Sequence, residues 1–220
     1  MMRSNAPPST DLFDHEPVEL QLAPQALLLQ GFARPYVPRV LTALQAIEQA
    51  APFRHMRTPG GLAMSVALTN CGALGWTSDS RSYRYTAHDP DSGQPWPSLP
   101  EVLLQLAHAA AERAGFPSFV PDACLVNRYQ PGARLSLHQD KDERDYSAPI
   151  VSVSLGIPAT FLLGGFSRSD KTLRVPLVHG DVVVWGGADR LRYHGVLAVP
   201  EGEHPLLGAQ RINLTLRKAG

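Results

Sequence analysis

Arg211-Ile212-Asn213-Leu214-Thr215-Leu216-Arg217 alternates polar and apolar side chains without interruption. Successive side chains of a β-strand point to opposite faces. Arg211, Asn213, Thr215 and Arg217 therefore share one face, and Ile212, Leu214 and Leu216 the other. Short strands of this kind extend upstream. Ala123–Tyr129, Leu135–His138, Ile150–Leu155, Thr160–Leu163, Thr172–Leu177, Val182–Trp185 and Tyr193–Leu197 all read as strands separated by turns containing Gly and Pro. No helical period interrupts the series. Regularly spaced short strands predict a sandwich or jelly roll over about residues 121–220.

The first half of the chain is mixed. Ala26-Leu27-Leu28-Leu29 reads as a short buried strand closed by Gly31. Tyr36–Ala50 sets Val37, Val40, Leu41, Leu44 and Ile47 at helical spacing and stops before Pro52. Leu99–Ala114 does the same with Val102, Leu103, Leu106 and Ala110, and Gly115 follows as a stop. Two supporting helices make the expected class mainly β within α+β. Between them, residues 53–98 are rich in Gly, Pro, Thr, Ser and aromatics, with strands expected at Ala63–Leu68 and Tyr83–Thr86. Turns are expected at Pro59-Gly60-Gly61 and Asn70-Cys71-Gly72. So long a connection reads as a functional lid. Residues 1–20 read as a flexible tail, which leaves 21–220 as one domain.

A length of 220 residues suits one domain with a sizeable core. Lys and Arg number 20 and Asp and Glu number 20, so no global field attracts a polyanion. No apolar run reaches the length of a membrane span, and Met1–Asp14 has no signal-peptide core. The expected location is cytoplasmic. Cys71 and Cys124 match no zinc spacing and read as reduced, buried thiols.

His138-Gln139-Asp140 would project His138 and Asp140 to one side of a strand. His194 completes two histidines and one carboxylate only if the chain folds back. That set is the facial triad of non-haem Fe(II) oxygenases, which leaves positions open for a co-substrate and O2, although zinc accepts the same donors. His179-Gly180-Asp181 repeats the pattern, but ahead of Val182-Val183-Val184-Trp185 it reads better as a turn. The polar face of Arg211, Asn213, Thr215 and Arg217 suits a dicarboxylate, because guanidinium binds carboxylate in a planar fork. A solvated edge strand would look similar. Asn127 and Tyr129 share a strand face and could bond the same carboxylates or be a satisfied amide and phenol in the core. From Ala50 to His88, Arg54, Arg57, Arg81 and Arg84 against Asp79 give the lid a local charge of +3, interleaved with Trp76, Tyr83 and Tyr85. Such a surface can stack bases and neutralise phosphates. Asp142, just after the metal motif, would favour a cationic substrate.

From about Phe53 to Arg217 the chain resembles the AlkB family of Fe(II)- and 2-oxoglutarate-dependent nucleic-acid dealkylases, in its close bacterial type. The resemblance rests on Thr58-Pro59-Gly60-Gly61, Thr69-Asn70-Cys71-Gly72, Gly75-Trp76, Asn127-Arg128-Tyr129, the run from Leu135 to Glu143, the run from Ala148 to Gly156, His179 to Gly187, Tyr193-His194-Gly195, and Arg211 to Arg217. It implies a double-stranded β-helix with a nucleotide-recognition lid, and His138, Asp140 and His194 as Fe(II) ligands. It also implies that Arg211, Tyr129 and Asn213 hold the distal carboxylate of 2-oxoglutarate, with Arg217 and Asn127 at the end nearer the metal. Trp76 and His138 would sandwich a flipped methylated base whose exocyclic amine meets Asp142. Thr58, Tyr83 and Arg168 would line the nucleic-acid groove. Leu62, Leu68, Leu163 and Leu216 depart from the family pattern.

The implied activity is demethylation of 1-methyladenine and 3-methylcytosine in DNA alkylation repair, converting 2-oxoglutarate and O2 to succinate and CO2 and releasing formaldehyde. The implied partner is single- or double-stranded DNA, with RNA also a candidate, for a monomer that binds no membrane. The rival readings are a 2-oxoglutarate-dependent hydroxylase of a protein or small molecule, a catalytically silent nucleic-acid binder, and a zinc hydrolase.

Overall fold

The structure, a computed structural model, describes residues 18–220, which form thirteen strands and two α-helices. In chain order these are β1 (Glu19–Ala23), β2 (Ala26–Leu29), α1 (Val37–Ala50), β3 (Ala67–Gly72), β4 (Gly75–Ser78), β5 (Tyr83–Thr86) and α2 (Glu101–Arg113). They continue with β6 (Ala123–Tyr129), β7 (Leu135–His138), β8 (Ile150–Gly156), β9 (Ala159–Leu163), β10 (Leu173–Leu177), β11 (Val182–Trp185), β12 (His194–Val196) and β13 (Arg211–Arg217). Most of the expected tail, residues 1–17, lies outside the described residues, but Glu19 and Leu20 belong to β1.

The larger sheet has the order β1-β2-β11-β8-β13-β6-β3, and the smaller has the order β10-β9-β12-β7. All their pairings are antiparallel. One face of the larger sheet carries Val126, Val153, Val184, Ile212, Leu214 and Leu216 against the apolar stripes of α1 and α2. Its other face meets the smaller sheet. There Phe161 and Trp185, from opposite sheets, lie 5.9 Å apart between ring centroids. The period of two in β13 thus sends its leucines to the helices and its polar residues into the sandwich.

β13 is no solvated edge. It runs between β8 and β6 and is buried along its whole length. The expected strand at Ala63–Leu68 is displaced: β3 covers Ala67–Gly72, through the segment expected to turn. Asn70 and Gly72 have strong turn propensity, but each pairs with β6, and tertiary ladder bonds override local preference. The Ala67–Gly72 segment of the expected lid is therefore core sheet. What stands apart is the β4–β5 hairpin, in which Trp76 lies opposite Tyr85 and Ser78 opposite Tyr83.

Candidate active site

β7 and β12 are paired so that His138 and His194 face each other, with ring centroids 4.4 Å apart. Gly195 allows this approach: a Cβ there would lie 2.7 Å from the carbonyl oxygen of Leu135. Asp140 is not on the strand, contrary to the expected geometry. β7 ends at His138, and the chain bends to bring the Asp140 carboxylate back, Oδ1 3.5 Å from His138 Nε2 and Oδ2 3.7 Å from His194 Nε2. One ligand atom from each residue lies within 4.8 Å of the others, the spacing a single metal ion requires. Each ring points its Nε2 inward because its Nδ1 faces a carbonyl, Ser136 O at 2.9 Å for His138 and Arg192 O at 3.1 Å for His194. Bonds of that kind fix the ligating tautomer.

Charge at this centre is balanced by buried arginines. Burial works to raise the Asp140 carboxyl, but the Arg217 guanidinium and the two imidazoles outweigh it and hold the group well below the ordinary carboxylate range. Arg217 donates to Asp140 Oδ2 from Nε at 2.9 Å and from Nη2 at 2.6 Å. Burial, aided by His138, pushes His194 down to about 4, so its imidazole is neutral at pH 7 and its lone pair is free to ligate.

His179 and Asp181 take no part. Asp181 accepts the backbone N–H groups of Gly31 and Val178, while His179 Nδ1 accepts that of Gly156 and its ring stacks on His204. The second His-x-Asp is the turn its setting suggested.

Behind the triad, the polar face of β13 builds a second subsite. Arg211 is buried above the Tyr129 ring, 5.0 Å from its centroid, and Nη2 donates to Ser154 Oγ at 3.0 Å. Its Nε and Nη1 are buried without a protein partner. A buried guanidinium with two unpaired donors is costly unless an anion completes it, and a carboxylate matches the fork. The donor set therefore fits 2-oxoglutarate. Burial lowers the Arg211 pKa, an effect Tyr129 partly offsets.

Asn213 lies on the same polar face of β13. Its Nδ2 donates to Ser152 Oγ and Val153 O, and its Oδ1 accepts from Thr215 and, at 3.5 Å, from Asn127. These contacts fix the Asn213 side chain within the subsite wall. Ser152 and Ser154 were not singled out from sequence. The alternation Ile150-Val151-Ser152-Val153-Ser154-Leu155, beside a strand with one polar face, was the available signal.

On the outer side Trp76 stacks on Tyr83, with ring centroids 5.5 Å apart, and its indole N–H donates to Asp142 Oδ2 at 2.8 Å. Arg168 sits on an exposed loop, its guanidinium 5.6 Å from the centroid of Tyr193, beside His194. Thr58 closes a turn, with Oγ1 accepting Leu62 N at 3.2 Å. The +3 of the lid is not free charge. Arg54 pairs with Asp89 and Asp91, just beyond the counted window, and Arg84 pairs with Asp79. Sequence reasoning also missed a buried cluster. Glu143 bonds Arg190 Nη2 at 3.0 Å, while Arg190 Nη1 donates to Asp140 O at 2.7 Å. Its members are scattered along the chain and carry no motif.

Two facing antiparallel sheets with a His-Asp-His centre and a buried arginine subsite are the features of a 2-oxoglutarate-dependent Fe(II) oxygenase, and the family model described as "2OG-Fe(II) oxygenase superfamily" matches residues 25–217. An "Alpha-ketoglutarate-dependent dioxygenase AlkB" from Salmonella typhimurium is 54% identical over 210 residues, 95% of this chain and 97% of that protein. OsALKBH1, a solved structure, superposes with a TM-score of 0.81 at 30% identity, covering 91% of this chain and 100% of that one. A "DNA N(6)-methyladenine demethylase ALKBH1A" from Arabidopsis thaliana is 37% identical over 132 residues, 59% of this chain and 38% of its own length. The chain belongs to the AlkB family of 2-oxoglutarate- and Fe(II)-dependent dioxygenases, with their double-stranded β-helix fold.

Proposed function

We propose that this dioxygenase removes methyl groups oxidatively from 1-methyladenine and 3-methylcytosine in DNA, and so repairs alkylation damage. The observation that carries the reading is the aromatic face of the β4–β5 hairpin. Trp76 and Tyr83 are stacked there, and Asp142, in the loop beside Asp140, bonds the indole. A hydroxylase of small molecules has no use for such a surface. Both target bases are cationic at neutral pH, which suits an exposed carboxylate at Asp142. Their methyl groups lie on the pairing edge, so the base must leave the stack, and a single strand resists that least. The name of the Arabidopsis relative supports a nucleic-acid substrate.

His138, Asp140 and His194 would hold the Fe(II), and Arg211 and Tyr129 the distal carboxylate of 2-oxoglutarate. Asn213 would join Arg211 and Tyr129 at the distal carboxylate, and Arg217 and Asn127 would stand at the end nearer the metal. Bound Fe(II), 2-oxoglutarate and O2 supply the oxidation that turns the N-methyl group into a hydroxymethyl, which then leaves as formaldehyde. Trp76 and His138 orient the base, Asp142 binds its amine, and the buried arginines keep Asp140 ionised. Thr58, Tyr83 and Arg168 would guide the flanking strand. The enzyme is read as one catalytic domain over residues 21–220, acting as a cytoplasmic monomer on DNA and, as a further substrate, RNA. Among the described residues no helix is long and apolar enough to cross a membrane.

The test is incubation with Fe(II), 2-oxoglutarate, ascorbate and an oligonucleotide bearing 3-methylcytosine, read by mass. Unmodified cytosine and stoichiometric succinate are expected. Succinate release that the oligonucleotide never stimulates, with the methyl group retained, refutes the reading.

A further inference from the structure

Trp76 and Tyr85 are register partners on β4 and β5, so their side chains leave the hairpin from one face. Their polar tips bind neighbouring carboxylates of the loop after β7. The Trp76 indole N–H donates to Asp142, and the Tyr85 hydroxyl donates to Glu143 Oε1 at 2.7 Å. The two acids differ in setting. Asp142 is exposed, whereas Glu143 is buried. Glu143 is fixed by the same two guanidiniums that hold Asp140. Arg190 bonds the Glu143 carboxylate and the Asp140 carbonyl, and Arg217 bonds the Asp140 carboxylate with its Nε 3.4 Å from Glu143.

We propose that Tyr85 is a positioning residue, pinning the base-recognition hairpin to the metal-binding loop through Glu143. The inference rests on the reading of Trp76 and Asp142 as base contacts. When Asp142 takes the amine of a flipped base, its bond to Trp76 is given up. The Tyr85–Glu143 bond is then the polar tie that stays between hairpin and loop. Its acceptor cannot follow the substrate, because two buried arginines hold it. Burial, first among several influences, raises the Tyr85 phenol, so the hydroxyl remains a donor across the working pH range. The aromatic platform is thereby kept in register with the metal while Trp76 is free to turn from Tyr83 to the base.

The test uses the full-length protein and Tyr85→Phe, which removes one oxygen and leaves the ring in place. Hydrogen exchange is measured on the metal-free protein. Losing a bond to a charged acceptor should speed exchange across residues 75–86 about tenfold or more, with β6, β8 and β13 protected as before. In steady state the KM for a 3-methylcytosine oligonucleotide should rise by a similar factor, with a smaller change in kcat. Wild-type exchange in the hairpin, a general rise across the domain, or a fall in kcat at constant KM would each overturn the proposal. Should the wild-type enzyme fail to demethylate the oligonucleotide, the functional reading is wrong, and the exchange measurement alone still decides whether Tyr85 pins the hairpin.

Discussion

Replacing Arg211 with Met separates stability from co-substrate binding, and the two should move in opposite directions. In the metal-free protein the guanidinium is buried, with Nη2 on Ser154 and with Nε and Nη1 unpaired. The substitution gives up one hydrogen bond, worth about 1 kcal/mol, and a contact with the Tyr129 ring worth about 0.5–2 kcal/mol. It also removes a buried charge that no carboxylate balances, and the desolvation penalty of such an ion is several kcal/mol. The sum predicts Arg211→Met to be as stable as wild type or more so, by up to about 4 kcal/mol. Binding of 2-oxoglutarate should suffer instead. A carboxylate in the fork makes two charge-assisted bonds, so affinity should fall by about 3 kcal/mol or more, over a hundredfold. Lysine should not rescue it, because an ammonium lacks the planar pair of donors. Urea unfolding of the metal-free proteins measures the first effect. Anaerobic calorimetry with Fe(II) and 2-oxoglutarate measures the second. A variant that is destabilised by several kcal/mol yet binds 2-oxoglutarate as wild type does would make Arg211 a structural ion, and the reasoning would fall.

Four further outcomes are expected. His138→Ala should lose iron binding and turnover, whereas His179→Ala should keep its iron, as measured by metal titration; the reverse pattern would exchange their assignments. The His194 imidazole has a folded-state pKa of about 4, below its unfolded value, so the unfolded chain takes up the proton first as pH falls. Stability of the metal-free protein should therefore drop between about pH 6.5 and pH 4, with this group contributing roughly 2 kcal/mol between pH 7 and pH 5, and His194→Leu should flatten that slope in urea titrations. With Arg54 and Arg84 in ion pairs, Arg57 and Arg81 are the lid cations left for phosphates among the described residues, so log affinity for a single strand should fall with log salt at a slope near −1.4 from the lid. Trp76→Ala should weaken oligonucleotide binding by about 1–3 kcal/mol at every salt concentration, and wild-type affinity in that variant would remove the hairpin from the interface.

Local pattern by itself determined most of the jelly-roll strands. In Ile150–Leu155, Val182–Trp185 and Arg211–Arg217 side-chain periodicity and strand geometry are the same information, and the two helices were equally legible. The face on which Arg211, Asn213, Thr215 and Arg217 lie also follows from a period of two. Local pattern failed where pairing partners overruled it. Ala67–Gly72 carries turn residues, yet becomes a strand because β6 offers it a full ladder. Asp140 was expected to join His138 through strand alternation, but joins it through a bend beyond the strand end. Only the tertiary structure decided which His-x-Asp copy meets His194, because β7–β12 pairing links residues 56 positions apart. Electrostatics was least legible of all. Whether a charge is free or neutralised depends on neighbours in space. Arg54 meets Asp89 across 35 residues, and Glu143 meets Tyr85 across 58. No local rule in the sequence encodes those distances; chain folding sets them, and they fix what the lid and the metal loop can do.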